Sequence, residues 1–180
     1  IERIEEFAFD GCRNLTEIKM PSKANHIGFG AFNSCKQLEA IRIPEGVTIL
    51  YYTTFWDCNN LKSIILPNSL TTIENGVFVD CDSLSTITFP DSLVKIGNYT
   101  FGYCDALDSI TIPASVTDIG TEPFGYCNNL KSLQVAEGNP KYDSRDNCNA
   151  IIETATNKMA VGCAATIIPE GITTLGTYAF

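Results

Sequence analysis

The chain has 180 residues, of which 44% are hydrophobic, so it can bury a core of its own. Its 21 acidic residues outnumber its 12 basic residues and give a formal net charge of −9, which argues against nucleic acid as a partner. No segment approaches the roughly 18 consecutive apolar residues of a membrane span, and the opening residues IERIEE lack the basic and apolar regions of a secretory signal.

A 23-residue repeat organises the sequence. Three kinds of residue recur at this spacing, each in the same register over six repeats. The columns are Cys12, Cys35, Cys58, Cys81, Cys104 and Cys127; Phe9, Phe32, Phe55, Phe78, Phe101 and Phe124; and Leu15, Leu38, Leu61, Leu84, Leu107 and Leu130. A repeat of this length predicts a solenoid, in which each repeat is one coil stacked on its neighbours.

Within a coil, the pattern F-x-x-C-x-x-L-x-x-I-x-I-P places a strand before a proline. The alternation I-x-I has the period of a β-strand, and proline ends the strand because it has no N–H group. A polar turn and a second apolar position follow, as at Ile73. The glycine-containing segments that lead to the next phenylalanine, IGFGAF at 27–32 and IGNYTF at 96–101, predict an irregular or 3₁₀-like arc.

The repeat is interrupted after Val135. The distance from Phe124 to Phe180 is 56 residues, which is one coil plus 33 extra residues. Within that insertion, two apolar segments flank Thr156 and Asn157 and predict a β-hairpin. We therefore expect one solenoid domain over 1–180. It is divided into regular coils at 1–135, a hairpin-bearing insertion at 136–166 and a resumed partial coil at 167–180. Because neither end carries a polar cap, we expect a fragment of a longer array.

The repeat resembles the BspA-like class of leucine-rich repeats. That class carries I-x-x-I-G-x-x-A-F-x-x-C-x-x-L-x-x-I-x-I-P, and residues 27–44 (IGFGAFNSCKQLEAIRIP) follow it closely. The resemblance implies a leucine-rich-repeat solenoid, a right-handed superhelix of short parallel β-strands with 3₁₀ or irregular arcs. It also implies an extracellular or cell-surface location, because the class occurs in surface proteins of anaerobic bacteria and some protozoa and has proposed roles in adhesion. The class defines no catalytic residues, so we expect neither an enzyme nor a cofactor.

The cysteine column favours a ladder of buried thiols. Neighbouring strands are about 4.8 Å apart, whereas the Cβ atoms of a disulfide lie roughly 3.5 to 4.5 Å apart. A column also arranges sulfur atoms in a line and not around a tetrahedral metal. Cys148 and Cys163 differ, because they lie on the two arms of the predicted hairpin, on one face but diagonal in register. A disulfide between them remains an open alternative.

Other residues that could carry chemistry lack the partners that chemistry needs. His26 is the only histidine, and no acidic residue accompanies it at a repeated spacing, so we interpret it as a solvated turn residue. Asp143, Asp146 and Asn147 could bind calcium, but they lack the spacing of a calcium loop, and a solvated loop is the favoured interpretation. We predict no metal site.

The outward positions of the strand column form the first candidate binding surface, which we name the strand face. Its candidate binding residues are Glu17, Lys19, Arg42, Ser63, Ile65, Thr86, Thr88, Ser109, Thr111 and Gln134, with Ala40 and Ser132 between them. The curvature of a solenoid commonly makes such a face a concave binding surface. The alternative is an ordinary exposed sheet face, because serine and threonine suit pleated surfaces.

A second candidate surface is aromatic. Tyr51, Tyr52 and Trp56 depart from the repeat pattern, and Tyr103 and Tyr126 lie at a neighbouring column. Exposed rings could stack on sugars or anchor a protein partner. The alternative is that they pack between adjacent turns.

We therefore expect a binding or adhesion scaffold that recognises a protein or glycan ligand, possibly host-derived, through the concave face. The alternative is a structural spacer that holds other domains away from the cell surface. An enzyme would require a deep pocket that joins His26 to carboxylates.

Overall fold

The computed structural model describes residues 1–180 and shows a solenoid of short strands. The strands, in chain order, are β1 (Arg3–Ile4), β2 (His26–Ile27), β3 (Ala40–Arg42), β4 (Ile49–Leu50), β5 (Ser63–Ile65), β6 (Thr72–Ile73), β7 (Lys95–Ile96), β8 (Ser109–Ile112), β9 (Asp118–Ile119), β10 (Ser132–Val135), β11 (Tyr142–Asp143), β12 (Ala150–Glu153), β13 (Lys158–Gly162) and β14 (Thr174–Leu175). The one helix is a 3₁₀ helix at Arg145–Asn147.

The predicted strand column is present but discontinuous. β3 pairs with β5, and β8 pairs with β10, in parallel and in the register of the 23-residue repeat. The first coil contributes a single bridge from Glu17 to Ala40. The fourth coil has no strand at the corresponding position, where Phe89 replaces the aliphatic residues of its neighbours and packs edge-on against Phe101 with ring centroids 5.9 Å apart.

A second column of parallel strands lies at the position that the sequence identified only as apolar. β4, β6, β7 and β9 form one continuous four-stranded sheet, and β1 pairs with β2 in the same column. Each of these strands has two residues, of which the second is the apolar landmark. The coils are therefore joined along two sides.

The arcs between the second strand column and the cysteine column consist of consecutive turns. In the fourth coil, alternate arc amides donate to the following coil: Gly76 to the carbonyl of Asn98, Phe78 to Thr100 and Asp80 to Gly102. Elsewhere in the same coil the amides donate to the preceding coil: Thr71 to the carbonyl of Thr48, Glu74 to Leu50 and Ser83 to Asn59. Each coil is thus hydrogen-bonded to both neighbours.

The core is a column of stacked rings flanked by aliphatic side chains and thiols. Phe32 and Phe55 are fully buried, and their ring centroids lie 5.4 Å apart with the planes 5° from parallel. The same stacking continues on both sides, from Phe9 to Phe124. Because each ring covers the next, the phenylalanines with a ring on both sides, Phe32, Phe55, Phe78 and Phe101, are the fully buried ones.

The hairpin predicted in the insertion is β12–β13, and its turn is longer than expected. Glu153 pairs with Lys158, so the turn covers four residues, 154–157, and not Thr156 and Asn157 alone. A bulge leaves Ala160 without a partner on β12, because Ile152 pairs with Met159 and Ile151 with Val161. β11 adds to the hairpin in antiparallel orientation, and β14 pairs with β13 in parallel, which returns the chain to the solenoid.

Candidate functional site

The outward residues of the strand face are accessible over most of its length. The exposed members are Glu17, Lys19, Ala40, Arg42, Ser63, Ile65, Thr86, Thr88, Ser109 and Thr111. The strand pairing places Ala40 beside Ser63 and Arg42 beside Ile65. These neighbours come from different coils, so a ligand on the strand face would contact several repeats at once.

A shallow depression lies at the end of the strand face formed by the first three coils. It has a volume of about 560 Å³. Lining residues include Glu17, Lys19, Arg42, Ser63 and Ile65, all predicted as binding residues. Ile65, the last residue of β5, is 48% exposed, although its side chain is large and aliphatic. The structure therefore gathers the charged and apolar members of the strand face into one concavity.

At the opposite end, the insertion covers the strand face. The Gln134 side chain is half-buried and donates a hydrogen bond from Nε2 to Asn149 Oδ1 at 2.9 Å. Ser132 is also half-buried, and the Val135 amide donates to Ser144 Oγ at 2.9 Å. Gln134 thus contacts the insertion, and the accessible part of the strand face ends near Thr111.

The aromatic residues of the third coil pack on their neighbours. The Tyr52 ring lies against Gly76, where an added Cβ would be 3.4 Å from the ring, although half of Tyr52 stays exposed. Trp56 donates from Nε1 to Asp80 Oδ2 at 3.0 Å and is 38% exposed. Tyr51 is half-buried, with its ring centroid 5.5 Å from that of His26. Packing between turns therefore accounts for much of this cluster.

Two exposed tyrosines form a separate stack on the arc side. The rings of Tyr103 and Tyr126 are parallel within 2°, with centroids 4.7 Å apart. Both residues adopt a left-handed backbone conformation, with φ of 61° each. This column also contains Ser34, Asp57 and Asp80, so the backbone geometry is imposed by the coil and not by the tyrosines.

The sequence analysis missed an apolar cavity at the break in the phenylalanine column. The cavity measures about 390 Å³ and lies between Phe124 and Leu130 on one side and Val161 and Phe180 on the other. Gly162 lies under the Phe180 ring, where an added Cβ would be 2.6 Å from Cε1. The 33 extra residues between Phe124 and Phe180 indicated where the phenylalanine column breaks, but the packing of Phe180 on Gly162 had no signal in the sequence.

Five cysteines of the regular column, Cys35 to Cys127, are buried, and Cys12 is exposed. Each buried thiol donates to the carbonyl of the phenylalanine 26 residues earlier, as Cys81 does to Phe55 at 3.2 Å. Burial raises the pKa of the Cys35 thiol to about 12 and the pKa of Cys81 well above the ordinary value. The thiols of Cys35 and Cys81 therefore stay protonated near neutral pH.

Cys148 and Cys163 are free thiols that contact different backbone carbonyls. Cys163 Sγ donates to the carbonyl of Asn149 at 3.4 Å, and Cys148 Sγ lies 3.9 Å from the carbonyl of Ala150. Cys148 is buried, and this burial raises its pKa. The two cysteines do not share one face of the hairpin as predicted: Ala150 pairs with Gly162, which places Cys163 across from Asn149, and Cys148 and Cys163 pack against different hydrophobic clusters.

His26 and the acidic residues of the insertion occupy structural positions. His26 lies in β2 opposite Arg3, and not in a turn as the sequence suggested, because the second strand column includes it. The Asp143 carboxylate accepts hydrogen bonds from Arg145, at 2.6 Å, and from Thr154, at 3.0 Å. The hydrogen bond with Arg145 lowers the pKa of Asp143. Asp146 and Asn147 are exposed in the 3₁₀ helix.

Parallel strands in two columns, stacked phenylalanines and a repeat of 23 residues define the class of protein: a leucine-rich-repeat solenoid. A model of the BspA type leucine rich repeat region, in six copies, matches residues 2–131 and 51–180. The chain belongs to the BspA-type leucine-rich repeat family. The predicted family and fold class are thereby confirmed.

Solved structures of bacterial leucine-rich repeat proteins share the fold. A protein from Eubacterium ventriosum superposes with a TM-score of 0.78 and 24% identity over 92% of this chain and 44% of that chain. A leucine-rich repeat protein from Bacteroides ovatus superposes with a TM-score of 0.65 and 30% sequence identity, over 98% of this chain and 49% of that chain. A leucine rich cell surface protein from Faecalibacterium prausnitzii superposes with a TM-score of 0.65 and 24% sequence identity, over 89% of this chain and 49% of that chain. The chain thus spans less than half of each. A comparison with curated proteins finds no match.

Family membership supports a general statement of function. Leucine-rich repeat proteins of this kind are bacterial surface proteins that generally bind other proteins and are generally not enzymes. None of the helices in the structure has the length and apolar character that a membrane crossing requires.

Proposed function

We propose that this chain is part of an extracellular or cell-surface binding scaffold whose strand face recognises a protein or glycan ligand. The observation that carries the proposal is the depression in the first three coils, where charged, polar and apolar side chains from different repeats converge. The stacked core and the thiol column hold these coils in fixed register, so the surface is preorganised for binding.

The composition of the strand face supports a binding role over a purely structural one. Thr86, Thr88, Ser109 and Thr111 add an exposed strip of hydroxyl groups next to the depression. Interfaces combine such adaptable polar groups with a few apolar anchors, and Ile65 is the exposed apolar residue of this face.

A screen followed by a matched pair of variants tests the proposal. The purified chain is first screened against arrays of extracellular-matrix proteins, epithelial surface proteins and glycans. Binding to each hit is then measured for the Thr86→Arg/Ser109→Arg double variant and for Asp91→Arg. Both variants change the net charge by the same amount, but Asp91 is an exposed turn residue outside the strand face.

We expect the double variant to weaken binding at least tenfold, because two long cations would obstruct the strip, and Asp91→Arg to leave binding within about twofold. If this double variant and the Lys19→Glu/Arg42→Glu variant, which changes the depression itself, both keep full affinity for every hit, the strand face is not the binding surface. The spacer alternative would then be favoured, particularly if flanking modules of the intact protein carried all of its attachment.

A further inference from the structure

The depression on the strand face holds two basic side chains that lack acidic partners. The molecule contains six ion pairs, and neither Lys19 nor Arg42 takes part in any of them. Both residues are exposed and line the depression. Their charge is unusual in its setting, because the chain carries 21 acidic against 12 basic residues, whereas the strand face has these two cations and only Glu17 as an anion.

Lys19 and Arg42 lie side by side on neighbouring coils. Glu17 bridges to Ala40, and the 23-residue repeat places Lys19 and Arg42 at equivalent positions of the first and second coils, two residues beyond that bridge. Neighbouring strands are separated by about 4.8 Å, and like charges directly opposite one another destabilise a sheet. Two cations at equivalent positions of neighbouring coils repel each other, and an anion between the two side chains would relieve that repulsion.

Nearby acidic groups of the second coil are already occupied. The Glu39 carboxylate forms an ion pair with Lys62 at 3.0 Å. The Glu45 carboxylate accepts a hydrogen bond from the backbone amide of Asn68 at 3.1 Å. Each of these carboxylates is thus bound to the third coil. Glu17 lines the same depression but forms no ion pair with Lys19 or Arg42, so the depression carries two positive charges against one negative charge and can accept an external anion.

An apolar side chain completes the site. Ile65 pairs with Arg42 across β3 and β5, so it is the next residue in the same column after the two cations. It is 48% exposed, and its counterparts in the following coils are Thr88 and Thr111. A ligand that spans this column meets two positive charges and then an aliphatic surface.

We propose that this end of the strand face binds an acidic polypeptide segment. A carboxylate side chain of the segment would lie between Lys19 and Arg42, and an aliphatic side chain next to it would cover Ile65. A sulfated or carboxylated glycan could use the cations but has no aliphatic group for Ile65, which is why the geometry favours a polypeptide. The inference rests on the proposed function, since it assigns a partner class to the same face.

The probes are synthetic nine-residue peptides of alternating Glu and Leu, of Gln and Leu, and of Glu and Ser, together with a heparin-derived oligosaccharide. Binding to the 180-residue chain is measured by fluorescence anisotropy at two salt concentrations. We expect the Glu–Leu peptide to bind with a Kd below about 1 mM. The Gln–Leu peptide and heparin should bind at least tenfold more weakly, and the Glu–Ser peptide should be weaker than the Glu–Leu peptide. Added salt should reduce the affinity for the Glu–Leu peptide.

Variants identify the residues responsible. Lys19→Glu/Arg42→Glu should weaken Glu–Leu binding at least tenfold. Lys23→Glu/Lys131→Glu makes the same charge change at exposed residues outside the depression and should have an effect below about threefold. Ile65→Thr introduces the residue found at this position in the later coils. It should weaken binding of the Glu–Leu peptide roughly fivefold and should change binding of the Glu–Ser peptide little. Circular dichroism and thermal unfolding check that each variant is folded.

Several outcomes would overturn the inference: no Glu–Leu binding, equal binding of the Gln–Leu peptide, unchanged affinity in Lys19→Glu/Arg42→Glu, or heparin bound more tightly than the peptide. The strand-face variants separate the two proposals. If hits from the screen are lost with Thr86→Arg/Ser109→Arg but kept with Lys19→Glu/Arg42→Glu, the acidic-segment inference fails and the scaffold function stands. If both variants keep every hit, both proposals fail.

Discussion

Each buried thiol of the cysteine column joins two coils through one hydrogen bond. Cys58, Cys81 and Cys104 are fully buried, and each donates to a phenylalanine carbonyl of the preceding coil at 3.1 to 3.2 Å. A cysteine is small enough to fit beneath the stacked rings, and its thiol donates a hydrogen bond to a buried carbonyl, which an alanine could not do. The recurrence of cysteine predicted the burial but not this hydrogen bond, because a column of residue types does not reveal which backbone group faces it.

The raised thiol pKa values predict a loss of stability at alkaline pH. Cys35, Cys58, Cys81 and Cys104 have native pKa values above that of a free thiol, because burial penalises the thiolate. Below about pH 8.5 the thiols are protonated in both the native and the unfolded chain, so the buried thiols make their full contribution to the free energy of unfolding. Above it, the unfolded thiols ionise while the native ones keep their protons. The free energy of unfolding then falls by about 1.4 kcal/mol per pH unit for each thiol, until the native pKa is reached.

Urea unfolding under reducing conditions at pH 7.5, 9 and 10 measures this slope. We expect Cys81→Ala to be less stable than the parent chain at pH 7.5 by about 1 to 3 kcal/mol, but to lose less stability as the pH rises. Cys12→Ala, which alters the exposed thiol, should retain the parent slope. If the free energy of unfolding fell equally steeply with pH in Cys81→Ala and in the parent chain, the ionisation of the Cys81 thiol would not be coupled to stability.

At the level of strands and arcs, the second strand column depends on close backbone contact. A Cβ atom at Gly97 would lie 2.6 Å from the backbone nitrogen of Asn75, and one at Gly120 would lie 2.5 Å from that of Asn98. The glycine that follows the apolar landmark therefore permits neighbouring coils to approach each other at this corner.

Gly97→Ala should destabilise the solenoid by about 1 to 3 kcal/mol, because backbone atoms on the neighbouring coil cannot rotate away as a flexible side chain would. Gly125→Ala is the matched control, since its nearest neighbours lie at an ordinary 3.4 Å. That control should stay within about 0.5 kcal/mol of the parent in urea unfolding. Similar losses for the two variants would show that backbone contact at Gly97 is unimportant.

The sequence predicted those elements that have a periodic signature and missed those without one. The I-x-I alternation was sufficient for β3, β5, β8 and β10. The two-residue strands of the second column are too short to show any alternation, and they exist because neighbouring coils supply their partners. The sequence also did not predict the four-residue turn and the bulge at Ala160, because the register of a hairpin depends on turn geometry that composition alone does not specify.

At the scale of the whole molecule, the main core is a cluster of 36 buried residues that runs from Ile4 to Val161, and the insertion adds a separate cluster of 4. Its interior coils have neighbours on both sides. Phe55 and Phe78 are fully buried between rings, whereas Phe9 is stacked on one side only and is half-buried. Stability in such an array is the sum of coil and interface contributions, so it is greatest in the middle.

Native-state hydrogen exchange should reveal this gradient. We expect the amides of Phe55 and Phe78, which are bonded to the next coil at 2.9 and 2.8 Å, to exchange only through global unfolding. The amide of Phe9, bonded to Ala31 at 2.8 Å, should exchange at least about 100-fold faster because one terminal coil can open alone. Uniform protection along the chain would instead indicate a single cooperative unit.

The opposed directions of the backbone hydrogen bonds have an electrostatic consequence. Amides of the arcs point toward the following coil, while those beside the second strand column point toward the preceding one. Their peptide dipoles oppose each other along the long axis, whereas those of an α-helix add up to about half a charge at each end. Adding coils therefore builds a smaller macrodipole per residue than lengthening an α-helix does, and the electric field that a partner senses near the array depends mainly on ionised side chains.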